Sequence, residues 1–563
     1  MGPIFHLICD FEVPAGAFAA ETLPKFAGWP PVLDRNGRFS PPIRLSATEI
    51  PMEAPGGTHL MGRPPRSGGS DSLDSLINSV LECLMRHEAP PLRSLELAGE
   101  QDPGHAARAL LQAASLRELA ASRASWVPAL MVSARPGLGA TRLYQLARAY
   151  TKATGEKLDP ARMPALAPIL GSSERMGQLL VDNPEWADDL VGDPPAAPDL
   201  SSSAANFDAV REAQSRGMLS IVARELVGCP LETTFAELTG LAEACLATAL
   251  QCASVETGVV APAMFALGQF GGCELGLSPA IDLLFIDPAP VTLVEPDVAL
   301  DGSGVVAGRV PGGKQGGERR AEIETLLAVL QRELDAARSR EASYRWSGSQ
   351  RPRGVVEFSV DSALEYFGHC ASPSERRLFE RIRPLEPDSA LAQALLSGLA
   401  KRVDPSRVRS VVDDELAYRA ERADTQHSDH LIQGVGGVSD LEAIVRVHLA
   451  AAGSEKPSTQ IGRTLLDTLH QLAASGAMDS AASARLADAY AWLRRAEHST
   501  QLVDSGSSRC FPGDPQGQIM LARCMGYREP EANRARERLL EDRQEIRQQV
   551  QDQFEKCLLE PAG

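Results

Sequence analysis

The sequence predicts a mostly helical α+β protein in which a small mixed sheet lies between an N-terminal helical array and a C-terminal helical bundle. Helical periodicity covers both ends of the chain, in stretches such as "ATRLYQLARAYTKA" from Ala140 and "SARLADAYAWLRRAEHSTQLVD" from Ser483. Between them lie three short segments, bounded by Gly or Pro and rich in β-branched or aromatic residues, which are typical of strands: "MFALGQF", "IDLLFI" and "GVVEFSV". At 563 residues the chain exceeds one ordinary core, so several domains are expected.

Changes of pattern divide the chain into four parts. Residues 1–72 are rich in Pro, Gly and Ser without a sustained period and are expected to be poorly ordered. The other three are a helical region at 73–255, an α+β domain at 256–385 with an insertion loop at 288–320, and a helical bundle at 386–563.

Composition excludes several classes of partner. The formal net charge of -18 and the pI of about 5.2 argue against nucleic acid or an anionic membrane, since both attract clustered Lys and Arg. Ten cysteines without a pairing pattern are typical of a reduced, cytosolic chain. Asp10 and Glu12 interrupt the first apolar stretch, and no run of about 18 apolar residues follows, so neither a secretory signal nor a membrane span is expected. The sequence therefore predicts a cytoplasmic protein.

One carboxylate stands inside an apolar strand. Residues 266–286 read "ALGQFGGCELGLSPAIDLLFI", in which the glycine turn "GQFGG", residues 268–272, precedes a strand that carries Asp282. A buried carboxylate needs a partner, and none stands beside it in the sequence. Asp282 therefore either pairs with Arg351 or caps a turn, or it retains a role in metal or nucleotide binding.

The glycine turn has two interpretations as well. A turn that needs positive φ explains Gly271 and Gly272, and a bond to the backbone of that turn explains Glu274. A phosphate that approaches the backbone closely would use the same freedom. Sequence alone leaves both interpretations open.

These residues resemble the nucleotidyltransferase domain of the glutamine synthetase adenylyltransferase family, whose motif runs G-K-x-G-G-x-E-L-x-x-x-S-D-x-D-L-x-F. The matching positions are Gly268, Gly271, Gly272, Glu274, Leu275, Asp282, Leu283 and Phe285. Further stretches resemble motifs of that family in the family's order: "RGMLSIVARELVG" from Arg216, "YRWSGSQRPRGVVEFS" from Tyr344, "ERIRPLEPD" from Glu380, "GVGGVSDLEAIV" from Gly434, "WLRRAEHSTQLVD" from Trp492 and "LARCMGY" from Leu521.

The resemblance implies a nucleotidyltransferase-type sheet that uses Mg²⁺ and ATP to attach AMP to glutamine synthetase or to remove it. It also implies glutamine synthetase and a PII-type signalling protein as partners. Asp282 would be a catalytic residue and a metal ligand. The nucleotide-binding residues that it implies are Gly271, Gly272, Glu274, Arg351, Asp440 and Glu442.

The chain departs from the family pattern at the carboxylates. The family's S-D-x-D reads "SPAID" here, so that Ala280 stands at the first Asp, and its R-V-D reads Arg345, Trp346, Ser347. A unit charge pair at about 4 Å and an effective dielectric near 20 is worth roughly 4 kcal/mol, so losing two carboxylates should cripple a divalent site. Two hypotheses follow, a catalytically impaired adenylyltransferase-like enzyme and a non-catalytic pseudoenzyme that binds glutamine synthetase, a PII-type regulator or nucleotide.

A second glycine-rich stretch, "GRVPGGKQ" at 308–315, matches the G-x-x-x-x-G-K part of a phosphate-binding loop. The Ser or Thr that would hold Mg²⁺ is Gln315. Without a flanking strand and helix, the stretch is predicted to be a solvated insertion loop.

Four polar residues in "WLRRAEHSTQLVD" lie three or four positions apart and share one side of a helix: Arg494, Glu497, His498 and Gln501. Because buried polar groups are normally paired, they are predicted to form a network between helices. The resemblance adds the alternative that they support the active cleft.

Overall fold

The computed structural model describes residues 70–190, 206–278, 281–286, 321–330, 332, 360–365, 373–386, 389–401, 408–423, 429–453, 462–504 and 508–559. All structural statements below concern these residues. Residues 1–69 of the segment predicted to be poorly ordered and the whole of the predicted insertion loop at 288–320 lie outside them, whereas residues 70–72 begin the first helix.

The N-terminal region is an array of helices. The helices are α1 (Ser70–Met85), α2 (Leu92–Ala98), α3 (Pro103–Ser115), α4 (Arg123–Met131), α5 (Pro136–Thr154), α6 (Met163–Ser172), α7 (Glu174–Asp182), α8 (Phe207–Leu226) and α9 (Leu231–Thr257). Short side chains cap several of them: Asp102 accepts a hydrogen bond from His105 N, and Asn206 accepts one from Ala209 N. Their apolar faces share one core, in which Trp126 is fully buried. The predicted array is thus observed.

Three short strands follow: β1 (Ala263–Ala266), β2 (Leu283–Ile286) and β3 (Arg383–Pro384), in the order β2-β1-β3. Both pairings among these described strands are antiparallel. The segment "MFALGQF" is a strand only to Ala266, because a four-residue helical turn, α10 (Gly268–Gly271), begins two positions later. The third strand, β3, was predicted by no strand signal, since it is two residues long and contains a proline. Most of "GVVEFSV" lies outside the described residues, and its last residue, Val360, begins a helix.

Helices return after β2, and the first two of them precede β3 in the chain. They are α11 (Val360–Glu365), α12 (Pro373–Glu380), α13 (Ala390–Lys401), α14 (Val408–Ala423), α15 (Val438–Ala451), α16 (Leu465–Ala474), α17 (Ser480–Val503), α18 (Pro515–Cys524) and α19 (Ala532–Phe554). The long helix that the sequence predicted from Ser483 corresponds to α17, and α19 lies within the predicted helical bundle. The mostly helical α+β class is confirmed.

The sheet separates two apolar clusters, because successive strand residues face opposite sides. Leu283 and Phe285 of β2 pack into the N-terminal core, whereas Leu284 and Ile286 pack into a small cluster with α11, α12 and α13. The C-terminal helices have a third core, which also takes Phe235 from α9. Since α9 contributes to two cores, the predicted domain boundaries stay predictions.

Helix α9 is long and apolar enough to cross a membrane by length and composition. More than half of its most apolar window, 56%, is buried within the protein. It packs along α8 and supplies Phe235 to the C-terminal core. These are the contacts of a core helix.

Candidate functional site

The glycine turn is held between β1 and Asp282. Leu267 N donates to Asp282 O over 2.9 Å, and Gly271 N and Gly272 N donate to Leu267 O and Gly268 O. Gly268 has a φ of +54°, and a Cβ built there would lie 3.4 Å from Asp282 Oδ2. The carboxylate of Asp282 therefore lies half-buried beside the first residue of the turn. Asp282 directly precedes β2, so the prediction that it lies inside the strand is wrong.

The predicted reason for the two adjacent glycines is wrong. Gly272 has a φ of -82°, and positive φ is found instead at Gly268 and at Cys273. A Cβ at Gly271 would lie 1.7 Å from Arg381 O, and one at Gly272 would lie 1.8 Å from Arg381 Nη2. Glycine is required because Arg381 lies directly against the turn. A phosphate cannot approach the turn from the side that Arg381 fills.

Glu274 is bound on every side by the protein. It is 1% exposed, and its Oε2 accepts a hydrogen bond from Arg381 Nη2 over 2.5 Å. Its Oε1 accepts from the backbone N of Leu465, the first residue of α16. Its carbonyl O accepts from Arg494 over 2.8 Å. Glu274 bonds the backbone of the glycine turn through its own amide, which donates to Gln269 O over 2.8 Å, whereas its carboxylate reaches Arg381 and α16.

Glu442 meets the same arginine from α15. Arg381 Nη1 lies 3.6 Å from Glu442 Oε1, and Arg377 Nη2 donates to Glu442 Oε2 over 2.7 Å. Burial alone would lower the pKa of the Arg381 guanidinium, but the charges of Glu274 and Glu442 more than offset it and raise that pKa. The structure thus joins Glu274 and Glu442, two of the predicted nucleotide-binding residues, through one guanidinium.

Asp440 lies in a different contact set. Its carboxylate accepts from Gly436 N over 2.8 Å and lies 3.4 Å from Arg422 and 3.8 Å from Arg419. It is 1% exposed, and these contacts cap the loop before α15. The side chain of Asp440 is thus engaged with its own loop and α14.

A ladder of ion pairs continues between α12 and the C-terminal helices. Arg377 donates to Glu415 of α14, Arg446 of α15 bonds both Glu415 and Glu380, and Arg376 bonds Asp414 over 2.7 Å. Sequence reasoning missed these arginines. The signal was present, since "ERRLFERIRP" places four arginines within eight residues of a segment that also carries buried apolar side chains.

The polar network predicted on α17 is observed for Arg494, Glu497 and His498, but the side-chain amide of Gln501 has no hydrogen-bond partner among the described residues. Arg494 Nε lies 3.3 Å from Glu497 Oε2, Arg509 Nε lies 3.2 Å from Glu497 Oε1, and His498 Nδ1 lies 2.7 Å from Glu225 Oε1 of α8. Burial alone would raise the pKa of Glu497, but Arg494, Arg509 and His498 hold that pKa below its ordinary value. Gln501 is buried on the same helix.

The remaining predicted site residues, Arg351, Ala280 and Ser347, and the stretch at 308–315, lie outside the described residues. Within the described part of the chain, no group of three or more His, Cys, Asp or Glu side chains is arranged to hold a metal ion. Mg²⁺ requires several oxygen ligands in octahedral geometry. Asp282 is the one predicted ligand there, so the described residues do not by themselves fit a two-metal centre.

Comparison with known proteins finds a family model that matches part of the chain. Residues 412–558, which run from α14 through α19, match a family model described as GlnD PII-uridylyltransferase.

Curated relatives match longer stretches of the chain. The chain is 28% identical over 464 residues to the bifunctional glutamine synthetase adenylyltransferase/adenylyl-removing enzyme of Streptomyces coelicolor. This match covers 76% of this chain and 44% of that protein. The enzyme of the same name from Streptomyces avermitilis is 27% identical over 76% of this chain and 43% of its own length. The enzyme of the same name from Xanthomonas campestris is 26% identical over 344 residues, and this match covers 56% of this chain and 34% of that protein.

These matches confirm the resemblance to the glutamine synthetase adenylyltransferase family that the motifs predict. The matched region spans less than half the length of these curated relatives.

Proposed function

We propose that this chain is an adenylyltransferase-like unit that acts on glutamine synthetase and whose own nucleotidyl transfer is impaired. The observation that carries the proposal is the state of the acidic residues around the glycine turn. Asp282 lies beside Gly268, while the carboxylate of Glu274 is taken by Arg381 and Leu465 N. The relatives that match the chain are named for adenylyl transfer and removal on glutamine synthetase.

The chemistry explains the impairment. Moving a nucleotidyl group places negative charge on phosphate oxygens, which two divalent ions held by carboxylates would neutralise. The sequence has Ala280 and Ser347 where the family pattern has the other two Asp residues. Each ~1.4 kcal/mol of lost transition-state stabilisation lowers the rate tenfold, so removing two ligands suppresses turnover by orders of magnitude.

The proposed function also implies cofactors, partners and a cellular location. Mg²⁺ and ATP are the cofactors that it would bind, with Asp282 as the metal ligand and Gly271, Gly272, Glu274, Arg351, Asp440 and Glu442 around the nucleotide. Glutamine synthetase is the proposed partner, a PII-type signalling protein is the second, and the proposed location is the cytoplasm. Contacts of Glu274 and Asp440 within the protein favour a supporting role for those two residues.

A second candidate function is that of a non-catalytic pseudoenzyme. It would bind glutamine synthetase, a PII-type protein or nucleotide without turnover. The replacement of two carboxylates together with the full engagement of Glu274 favours it. Both candidates bind glutamine synthetase, and they differ in whether any AMP is transferred to it.

The experiment is incubation of the purified chain with labelled ATP, Mg²⁺ or Mn²⁺ and glutamine synthetase from the same organism. We expect at most a trace of label on the synthetase. Label transfer at an ordinary enzymatic rate that is lost in Asp282→Ala would contradict the impairment.

A matched gain-of-function variant sharpens this test. The double substitution Ala280→Asp with Ser347→Asp restores both carboxylates of the family pattern. An increase in label transfer of tenfold or more, abolished when Asp282→Ala is added, would support the proposed ligand positions. No change with intact nucleotide binding would favour the pseudoenzyme.

A further inference from the structure

Arg381 occupies an unusual position between the sheet and the C-terminal helices. Arg381 lies two residues before β3. Its carbonyl O lies against Gly271, and its guanidinium lies against Gly272. The backbone amides of that turn, from Gly271 to Glu274, are all hydrogen-bonded within the turn. A displacement of Arg381 therefore acts directly on the backbone of Gly271 and Gly272, which have no side chain to absorb it.

The same guanidinium contacts two carboxylates from different parts of the chain. Glu274 comes from the chain just after the turn, and Glu442 comes from α15. The side chain of Arg381 is 22% exposed, that of Glu442 21% and that of Glu274 1%. In such surroundings a charge left without its partner is strongly disfavoured, so the three groups keep their mutual positions.

Glu274 extends the contact to a second C-terminal element. Its other carboxylate oxygen accepts from Leu465 N, at the N-terminus of α16, where a negative charge also meets the helix dipole favourably. Glu442 in turn shares Arg377 with Glu415 of α14. One continuous set of ionic contacts thus runs from the glycine turn into α14, α15 and α16.

We propose that Arg381 is a positioning residue that couples the glycine turn to the C-terminal helices through Glu274 and Glu442. A change in the placement of α15 or α16, such as one imposed by a partner protein on those helices, is transmitted to the turn by this contact. Because such coupling is reciprocal, a change at the turn is transmitted back to α15. The coupling does not depend on nucleotide or on transfer activity.

Amide hydrogen exchange of the full chain tests this coupling across elements. The variant Glu442→Gln removes the charge on α15 and leaves the turn's sequence intact. We expect exchange of the amides of residues 271–274 to rise about threefold to tenfold, although the substitution lies on another element. In the Arg381→Met background, Glu442→Gln should produce no further rise at the turn.

Two controls separate coupling from general destabilisation. Glu386→Gln makes the same charge change at an exposed residue next to β3 and should leave exchange at the turn unchanged. Glu442→Asp keeps the charge and should restore most of the protection, and it also serves if Glu442→Gln fails to fold. Exchange changes confined to residues 438–446 in both Glu442 variants would overturn the proposal.

Discussion

On the N-terminal side of the sheet, Leu283 and Phe285 pack among apolar side chains of the helical array. Toward the C-terminal helices, contacts from α12 and from Arg381 are made by ion pairs with Glu415, Asp414 and Glu442. Apolar packing depends on shape and buried area, whereas a buried ion pair depends on both partners being present. The apolar packing of β2 and the ionic contacts of α12 and Arg381 should therefore respond differently to the same kind of perturbation.

The largest effect is expected on the apolar side. Phe285→Ala removes a ring that is 2% exposed, and should lower the free energy of unfolding by about 3–5 kcal/mol. Urea unfolding measures the change. Val255→Ala, at a residue that is 79% exposed, is the matched control and should change the free energy by about 0.5 kcal/mol or less. Equal effects of the two substitutions would remove the apolar side of the comparison.

The ionic side should follow closely when one partner is removed. Arg377→Met leaves Glu442 without its closest partner and Glu415 without one of two, and should lower the free energy of unfolding by about 3 kcal/mol. Arg86→Met, which breaks a pair whose side chains are 67% and 68% exposed, should change it by less than about 0.5 kcal/mol. A negligible effect of Arg377→Met would mean that the ladder contributes nothing to stability.

The next largest loss of stability is expected at the glycine turn, where Arg381 lies against the backbone. Gly271→Ala places a Cβ against Arg381 O and should lower the free energy of unfolding by about 2–3 kcal/mol. Gly155→Ala, at a φ of +77° with nothing within 4 Å, should lower it by about 1 kcal/mol through backbone strain alone. Thermal or urea unfolding of both variants measures the difference, and the reverse order would show that Arg381 yields easily.

The smallest effect is expected from acid at the polar network on α17, a third set of contacts that includes Glu497. Because the folded pKa of Glu497 is held below its ordinary value, its ionisation stabilises the protein above that value and the contribution is lost as pH falls through the folded pKa. Glu497→Gln should therefore lower the free energy of unfolding by about 1–3 kcal/mol at neutral pH, and this difference should shrink as pH falls below about 4.5. Unfolding curves between pH 3 and pH 7 measure it. A difference that stays constant across that range would contradict the depressed pKa.

Sequence patterns predicted the helices because their apolar residues recur at helical spacing over many turns, as in α17 and α19. They did not predict β3, whose two residues are defined by pairing with Phe265 and Ala266 across more than a hundred positions. The network at Arg494 was predictable because its members share one helix face.

The role of Arg381 could not be predicted in this way. Its partners, Glu274 and Glu442, lie about 170 positions apart in the sequence, and only the folded chain brings them together. The same reason explains the wrong expectation for Gly271 and Gly272, since a clash with a distant backbone leaves no local signal.

We propose that the chain is an adenylyltransferase-like unit for glutamine synthetase with impaired transfer. Binding of the purified chain to glutamine synthetase of the same organism, measured by calorimetry together with the label-transfer assay on the same samples, tests this function. We expect saturable binding that is retained in Asp282→Ala, with little or no label transferred. Absence of binding, or rapid label transfer that Asp282→Ala abolishes, would contradict it.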